Sequence, residues 1–124
     1  MFQSVLLSCF IFVVGSTALA FDRITLPGNG FDLTCTGQNY TTTIVIDSGN
    51  TGQFNVAFER QISPGKWSGV ASGGTMIMAN GTYNVVVQLP NLPTGTVYNT
   101  CRAKILRNGV EISVSIINGI LRRP

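Results

Sequence analysis

Apolar and polar residues alternate along several short stretches of the chain. In residues 53–60 the apolar side chains of Phe54, Val56 and Phe58 share one face, and residues 31–35 and 82–89 show the same period of two. This period is typical of a β-strand that is buried on one face. No stretch of helical length shows a period of 3.6 residues. The pattern therefore predicts strands along the chain and no long helix.

Glycine, asparagine and proline interrupt these stretches at short intervals, in clusters that favour turns. Short strands separated by frequent turns are typical of an all-β sandwich or barrel. We therefore expect one domain, residues 21–124, folded as an antiparallel sandwich of two sheets with about seven to nine strands. The turn clusters are Gly28–Gly30, Ser48–Asn50, Pro64–Gly65, Gly73–Gly74, Asn80–Gly81, Pro93–Gly95 and Asn108–Gly109.

A β-hairpin near the C-terminus has the strongest local signal. Asn108-Gly109 lies between two alternating stretches, and this dipeptide favours the tight turn that joins two antiparallel strands. A two-residue turn directs apolar residues of both strands to one face, and Arg102 and Lys104 to the opposite face. The predicted register pairs Arg107 with Val110, Ile105 with Ile112, Ala103 with Val114 and Cys101 with Ile116.

The first twenty residues have the pattern of a secretory signal peptide. They contain no charged side chain, and Val5–Val14 is apolar except for Ser8. Small residues at Ala18 and Ala20 fit a cleavage site before Phe21. The apolar run is too short to span a bilayer, which needs about 20 apolar residues. We therefore expect a secreted, extracellular protein without an integral membrane span.

The cysteines and the glycosylation sequons agree with that compartment. Cys9 lies in the signal peptide, so the mature chain keeps Cys35 and Cys101. Both are expected to face the core, and an even pair in an oxidising compartment favours a disulfide, here one that joins the two sheets. Asn39 and Asn80 each begin an acceptor sequon for N-glycosylation.

Composition excludes several classes of function. The chain of 124 residues has no histidine, which removes Ser-His-Asp and Cys-His catalysis. Its formal net charge of +3 is too small to indicate a nucleic-acid binder. The five carboxylates are scattered, and no metal-ligand cluster or glycine-rich phosphate motif occurs. We therefore expect neither an enzyme nor a cofactor-binding or metal-binding protein.

Two resemblances to known families follow from the order of these features. A disulfide between an early strand and a C-terminal hairpin resembles the immunoglobulin-like sandwich. Residues 80–124 contain NGTY at 80–83, LPTG at 92–95, Val97-Tyr98 shortly before Cys101, and an aliphatic closing strand. This order resembles the C-terminal half of the ML lipid-recognition domains. Those are small secreted sandwiches whose sheets part to hold acyl chains, so the resemblance implies a lipid ligand.

Three strands carry more apolar residues than a half-buried strand needs. In an antiparallel sandwich one face of each sheet normally meets water. The surplus has three readings: tolerated or covered outer aliphatics, a pocket for a lipid between the sheets, or an outer interface for a protein. The stretches that do not alternate are Ile44-Val45-Ile46, Met76-Ile77-Met78 and Val85-Val86-Val87.

The leading hypothesis is a secreted, non-catalytic protein that holds a lipid or another apolar ligand between its sheets. The alternative is an extracellular immunoglobulin-like module that binds another protein, and a structural or matrix protein is the third hypothesis. An enclosed apolar cavity of roughly 300 Å³ would favour the lipid, whereas a packed interior with an outer aliphatic patch would favour a protein partner. The predicted ligand-binding residues are Phe54, Val56, Phe58, Val85 and Val87, with Arg102 and Lys104 near the headgroup. Trp67 is expected near a turn, either exposed for binding or packed on the core.

Overall fold

The computed structural model describes residues 22–25 and 30–124, so the predicted signal peptide, residues 1–20, lies outside the described residues. The described residues form eight strands in two sheets, which confirms the all-β class and the predicted number of strands. The strands are β1 (Arg23–Thr25), β2 (Phe31–Thr34), β3 (Asn39–Ile46), β4 (Gly52–Ser63), β5 (Lys66–Ile77), β6 (Gly81–Gln88), β7 (Val97–Arg107) and β8 (Val110–Arg122).

The strands are divided unequally between the sheets. The smaller sheet has the order β1-β3-β6, and the larger has the order β2-β8-β7-β4-β5. Neighbouring strands run antiparallel except for β2, which runs parallel to β8. The prediction of a wholly antiparallel sandwich is therefore wrong for this pair. No hairpin turn joins β2 to β8, so local turn chemistry does not set the direction of β2.

The core lies between the sheets and is built by the inward residues of each strand. Phe58 is its centre: its ring meets Phe31 edge-on at 5.1 Å and Tyr40 edge-on at 6.4 Å between ring centroids. Burying one such aromatic side chain stabilises the fold by about 1.5–3 kcal/mol. Other fully buried side chains include Ile44, Ile46, Phe54, Val56, Ile77, Val85, Val87, Leu89, Ile105 and Leu121.

The predicted β7–β8 hairpin forms, but its register differs from the prediction. Asn108 and Gly109 both have positive φ, 52° and 83°, as the tight turn requires. Arg107 pairs with Val110 as predicted, and beyond that point bulges shift the partners. The corrected pairs are Ile105 with Ser113, Lys104 with Val114, Ala103 with Ile116 and Cys101 with Gly119.

The bulges explain which aliphatic residues of β8 reach the core. Extra residues in β8 change the side on which its later side chains point. Ile116 lies opposite Ala103 and is buried, whereas Ile112 and Val114, which were expected to face the core, are exposed. The hairpin therefore presents apolar side chains to solvent that simple alternation would have placed inside.

The predicted inter-sheet disulfide is not present. Cys35 and Cys101 are both free thiols with no exposed surface. Cys35 directly follows β2 and Cys101 lies in β7, and these strands belong to the same sheet with β8 between them. Burial raises the pKa of both thiols, and the charge of Cys35 raises that of Cys101 further. The pair is therefore neither inter-sheet nor bonded.

The three stretches that do not alternate in sequence do alternate in burial. Val86 lies between two buried valines and is exposed, and Ile77 is buried between two exposed methionines. Val45 is half-buried between two buried isoleucines. The surplus of apolar residues is therefore partly at the outer surface of the sheets, where the sequence left three readings open.

Candidate functional site

The seven predicted ligand-binding residues fall into two groups on different faces. Five of them, Phe54, Val56, Phe58, Val85 and Val87, belong to the packed core cluster and are at most 1% exposed. Arg102 and Lys104 alternate in β7 with buried residues, so they lie on the outer face of the five-stranded sheet. The structure therefore does not bring the two cations beside the five apolar side chains.

The two cations take part in a cluster that crosses four strands of this outer face. The outer charged cluster comprises Glu59, Trp67, Arg102, Lys104 and Glu111. Arg102 donates from Nε to Glu59 Oε1 at 2.9 Å, and Lys104 Nζ lies 2.9 Å from Glu59 Oε2 and 3.2 Å from Glu111 Oε1. The guanidinium of Arg102 also lies over the Trp67 ring, 4.2 Å from its centroid.

Neighbouring charges in the cluster favour the ionised forms of Glu59 and Lys104. Burial alone would raise the pKa of Glu59, but the hydrogen bonds and charges of Lys104 and Arg102 outweigh burial and lower the pKa. For Lys104 burial acts in the opposite direction and alone would lower the pKa, but the hydrogen bonds and charges of Glu59 and Glu111 outweigh burial and raise the pKa. The side chains of Glu59, Lys104 and Arg102 are 15%, 13% and 20% exposed. The cluster is therefore partly shielded from solvent on an open sheet face.

Val114, one of the exposed aliphatic residues of β8, adjoins the charged cluster. Val114 lies opposite Lys104 in the register, so the two side chains share the outer face. Strand β2 pairs with β8 only over Gly119–Arg122, so it occupies only the C-terminal part of the β8 edge. The β8 aliphatic residues, all exposed, are Val110, Ile112, Val114 and Ile117.

Small residues make the other side of this face shallow. Residues 69–72 of β5, together with Ala57 of β4, line an open groove of about 440 Å³. Trp67, in the same strand, is half-buried, because Arg102 covers one part of its ring. The Trp67 side chain therefore lies within the sheet face. The run of small residues in β5 was visible in the sequence, but its place beside Trp67 depends on the sheet.

The other carboxylates are also held by donors. Asp22 is buried and accepts hydrogen bonds from the main-chain N–H of Asp47 and from Ser48 Oγ, at 3.2 Å and 3.0 Å. Ion pairs join Asp47 to Arg23, and Asp32 to Arg122. Within residues 22–25 and 30–124, no group of three or more carboxylates or cysteines is placed to hold a metal ion.

The two predicted glycosylation sites differ in their surroundings. Asn39 is exposed at the start of β3. Asn80 is also exposed, but its side-chain oxygen accepts a hydrogen bond from the Gly49 N–H at 2.7 Å and its amide donates to the Asp47 carbonyl. Asn39 is therefore the more accessible acceptor, and Asn80 links two turns at one end of the fold.

Comparison with known proteins gives a distant structural likeness. The chain matches no known protein-family model, and no curated protein sequence is significantly similar to it. A solved chain from a chaperone–tip adhesin complex of CFA/I fimbriae biogenesis superposes with a TM-score of 0.44 and 15% identity. The match covers 82% of this chain and 56% of that one, so this chain spans little more than half the length of its structural neighbour. In the described part of the chain, no helix is long and apolar enough to cross a bilayer.

Proposed function

We propose that this is a secreted, non-catalytic domain that binds another protein through the outer face of its five-stranded sheet. The observation that carries the proposal is the exposed Val114 beside the outer charged cluster, on a strand with three further exposed aliphatic residues. Exposed apolar side chains next to polar groups are typical of protein interfaces. The partly shielded ion pairs would add specificity of orientation, because their charges are fixed before the partner arrives.

A lipid between the sheets is the weaker hypothesis on this geometry. The resemblance to ML domains implied space for acyl chains lined by five core residues. Those side chains instead belong to one packed cluster and are almost completely buried. A ligand would have to separate them, which would cost the stabilisation that their mutual contacts provide.

The state of the reactive groups supports binding over catalysis. Each of the five carboxylates has a cationic or main-chain donor, and Cys35 and Cys101 are buried with raised pKa values. Thiols in this state are poor nucleophiles, since the thiolate is the reactive form. Secretion and glycosylation at Asn39 remain part of the proposal and rest on the sequence.

The experiment compares three forms of the full chain secreted from eukaryotic cells: wild type, Val114→Glu and Val86→Glu. Val86 is the matched control, because it is an exposed valine on the smaller sheet. Proteins bound in the culture medium are fixed by lysine-reactive cross-linking and identified by mass spectrometry. We expect the same cross-linked protein with wild type and Val86→Glu, and its loss with Val114→Glu.

Two results would overturn the proposal. One is a set of cross-linked proteins that Val114→Glu leaves unchanged while its melting temperature matches the wild type. The other is a stoichiometric lipid detected by native mass spectrometry and organic extraction of the secreted protein. The second result would restore the inter-sheet ligand.

A further inference from the structure

Strands β4 and β7 separate at one end of the five-stranded sheet. Their ladder ends at the pair Arg60 and Cys101. Beyond it β4 continues to Ser63 along β5, and β7 begins four residues earlier, at Val97, along β8. In that part of β7 two residues, Asn99 and Thr100, stand against one residue of β8, which is a bulge. A bulge bends its strand, which explains why β7 leaves β4 here.

The separation creates a cleft between two strand edges. Residues 60–64 form one wall and residues 97–100 form the other, around a groove of about 260 Å³. No β4–β7 ladder uses the main-chain groups that face each other across it. Ile62 and Val97, one on each wall, are 54% and 56% exposed. Facing strand edges of this kind can bind an extended peptide by main-chain hydrogen bonds.

Arg60 lies at the closed end of the cleft and has no anionic partner among residues 22–25 and 30–124. Its guanidinium lies over the Tyr98 ring, 4.5 Å from the centroid, so the ring fixes its position. Ring contact satisfies none of the five N–H donors of an arginine. The chain has only five Asp and Glu side chains, and the described ion pairs and hydrogen bonds engage each of them elsewhere. Within the described residues, Arg60 therefore keeps an uncompensated charge.

We propose that this cleft binds an extended acidic segment of a partner protein. A glutamate or aspartate carboxylate of the segment pairs with the Arg60 guanidinium, and the segment's main chain runs between the walls. Charge complementarity favours an acidic segment, because the chain has a net charge of +3 and Arg60 in the cleft wall has no described carboxylate to pair with. Ile117 of β8 adjoins the Asn99–Thr100 wall of the cleft, but the cleft does not include Val114 or the outer charged cluster, so the proposal stands independently of the proposed function.

The test titrates the isotope-labelled full chain with a blocked peptide of alternating Glu and Val, followed by NMR. We expect shifts of the main-chain amide resonances of Tyr98–Thr100 and Gln61–Ser63. Arg60→Gln should weaken binding about tenfold, as expected for the loss of a charge-assisted hydrogen bond. Lys66→Gln is the matched control: it removes a positive charge from the start of β5, just after the turn that follows β4, and Lys66 likewise has no described ion pair.

The outcomes distinguish a binding site of defined geometry from general attraction of an acidic peptide to a positively charged protein. Equal weakening by Arg60→Gln and Lys66→Gln would overturn the proposal, as would equal affinity for a Gln-Val peptide. Arg60→Lys, which keeps the charge but not the planar fork, should lose most of the binding and provides a second variant if Arg60→Gln does not fold. Val114→Glu should leave the peptide affinity unchanged, which distinguishes this cleft from the outer face.

Discussion

Thr42 places a polar hydroxyl group in the apolar core. It lies in β3 on the side that faces the core, and it is almost completely buried. Its hydroxyl oxygen has no hydrogen-bond partner among the residues that the structure describes. An unsatisfied buried hydroxyl is unfavourable, because water would bond to it in the unfolded chain. Alternation predicts that Thr42 faces inward with Ile44, but only the structure shows that no partner reaches the hydroxyl.

Replacing Thr42 with valine should therefore stabilise the protein. Valine has nearly the same shape and removes the unsatisfied group, so we expect the free energy of unfolding to rise by about 1 kcal/mol. Urea unfolding followed by tryptophan fluorescence measures the change. Thr34→Val is the control, since Thr34 is exposed in β2, lies outside both glycosylation sequons, and its replacement should change stability by less than about 0.5 kcal/mol. A loss of stability in Thr42→Val would show that the hydroxyl has a partner.

At the scale of elements, the sequence predicts the turn, which depends on neighbouring residues, but not the bulges, which depend on distant strands. The Asn108-Gly109 turn and its first pair, Arg107 with Val110, follow from the sequence because turn chemistry acts over a few residues. The bulges in β8 were not visible in the alternation. They depend on how the strand fits its neighbours, so Ile112 and Val114 were wrongly placed in the core.

Glu59 ties β4 to β7, and its replacement should change stability in a pH-dependent way. Its folded pKa is lowered, so its ionised form adds stability above the unfolded pKa of about 4.3, and this is lost as pH falls through the folded value. We expect Glu59→Gln to cost about 1–2 kcal/mol at pH 7, because Arg102 and Lys104 lose a shared partner.

The check on this prediction is the pH profile of urea unfolding for both proteins. The difference between them should stay constant from about pH 6 to 8 and shrink as the pH falls below the unfolded pKa of about 4.3 and through the lowered folded pKa of Glu59. Glu111→Gln is the control, since Glu111 is more exposed and contacts Lys104 alone within the cluster. A difference that does not depend on pH would mean that Glu59 acts through packing rather than charge.

Gly73 allows β5 of one sheet to approach β6 of the other. A Cβ at this position would collide with the main-chain carbonyl of Val86. Because main chain cannot move aside as a flexible side chain can, Gly73→Ala should push the sheets apart. We expect it to destabilise the fold by about 1–3 kcal/mol, the range for overpacking, measured by thermal and urea unfolding.

Gly69→Ala, in the same strand, is the matched control for this close approach. No atom lies within 4 Å of the point that a Cβ would occupy on Gly69, so the same substitution should be tolerated there. Equal destabilisation by both substitutions would show that β5 needs glycine for its backbone and not for the contact with β6.

At the scale of the whole molecule, the sequence predicts two sheets but not which strands share one. The inward direction of Phe54, Val56 and Phe58 follows from alternation, and so does the outward direction of Arg102 and Lys104. The partners of those cations, Glu59 and Trp67, come from β4 and β5, which are distant in sequence. Strand order is a non-local property, so the outer charged cluster could not be predicted.

The same limit explains the cysteines and leads to a test of the whole fold. Alternation turns Cys35 and Cys101 toward the core and so predicts a bridge between two sheets, whereas their strands lie in one sheet on either side of β8. Both thiols are buried by residues from several segments, and burial raises the pKa of each. Only a structural opening that exposes the core gives a reagent access to them.

We therefore expect both thiols to react with iodoacetamide only through global unfolding, at a rate far below that of an exposed cysteine. Labelling of the native protein, followed by mass spectrometry over hours in increasing urea, measures this rate. Where the protein opens and closes faster than the reagent labels it, the free energy of unfolding sets the rate, so Thr42→Val should slow labelling by the factor that corresponds to its stabilisation. Ser72→Cys, at an exposed position in β5, is the control and should react at once. Rapid labelling of Cys35 alone would show that β2 opens independently of the core. Non-reducing peptide mapping that joins Cys35 to Cys101 would contradict the free-thiol state, because a bonded pair has no thiol to label.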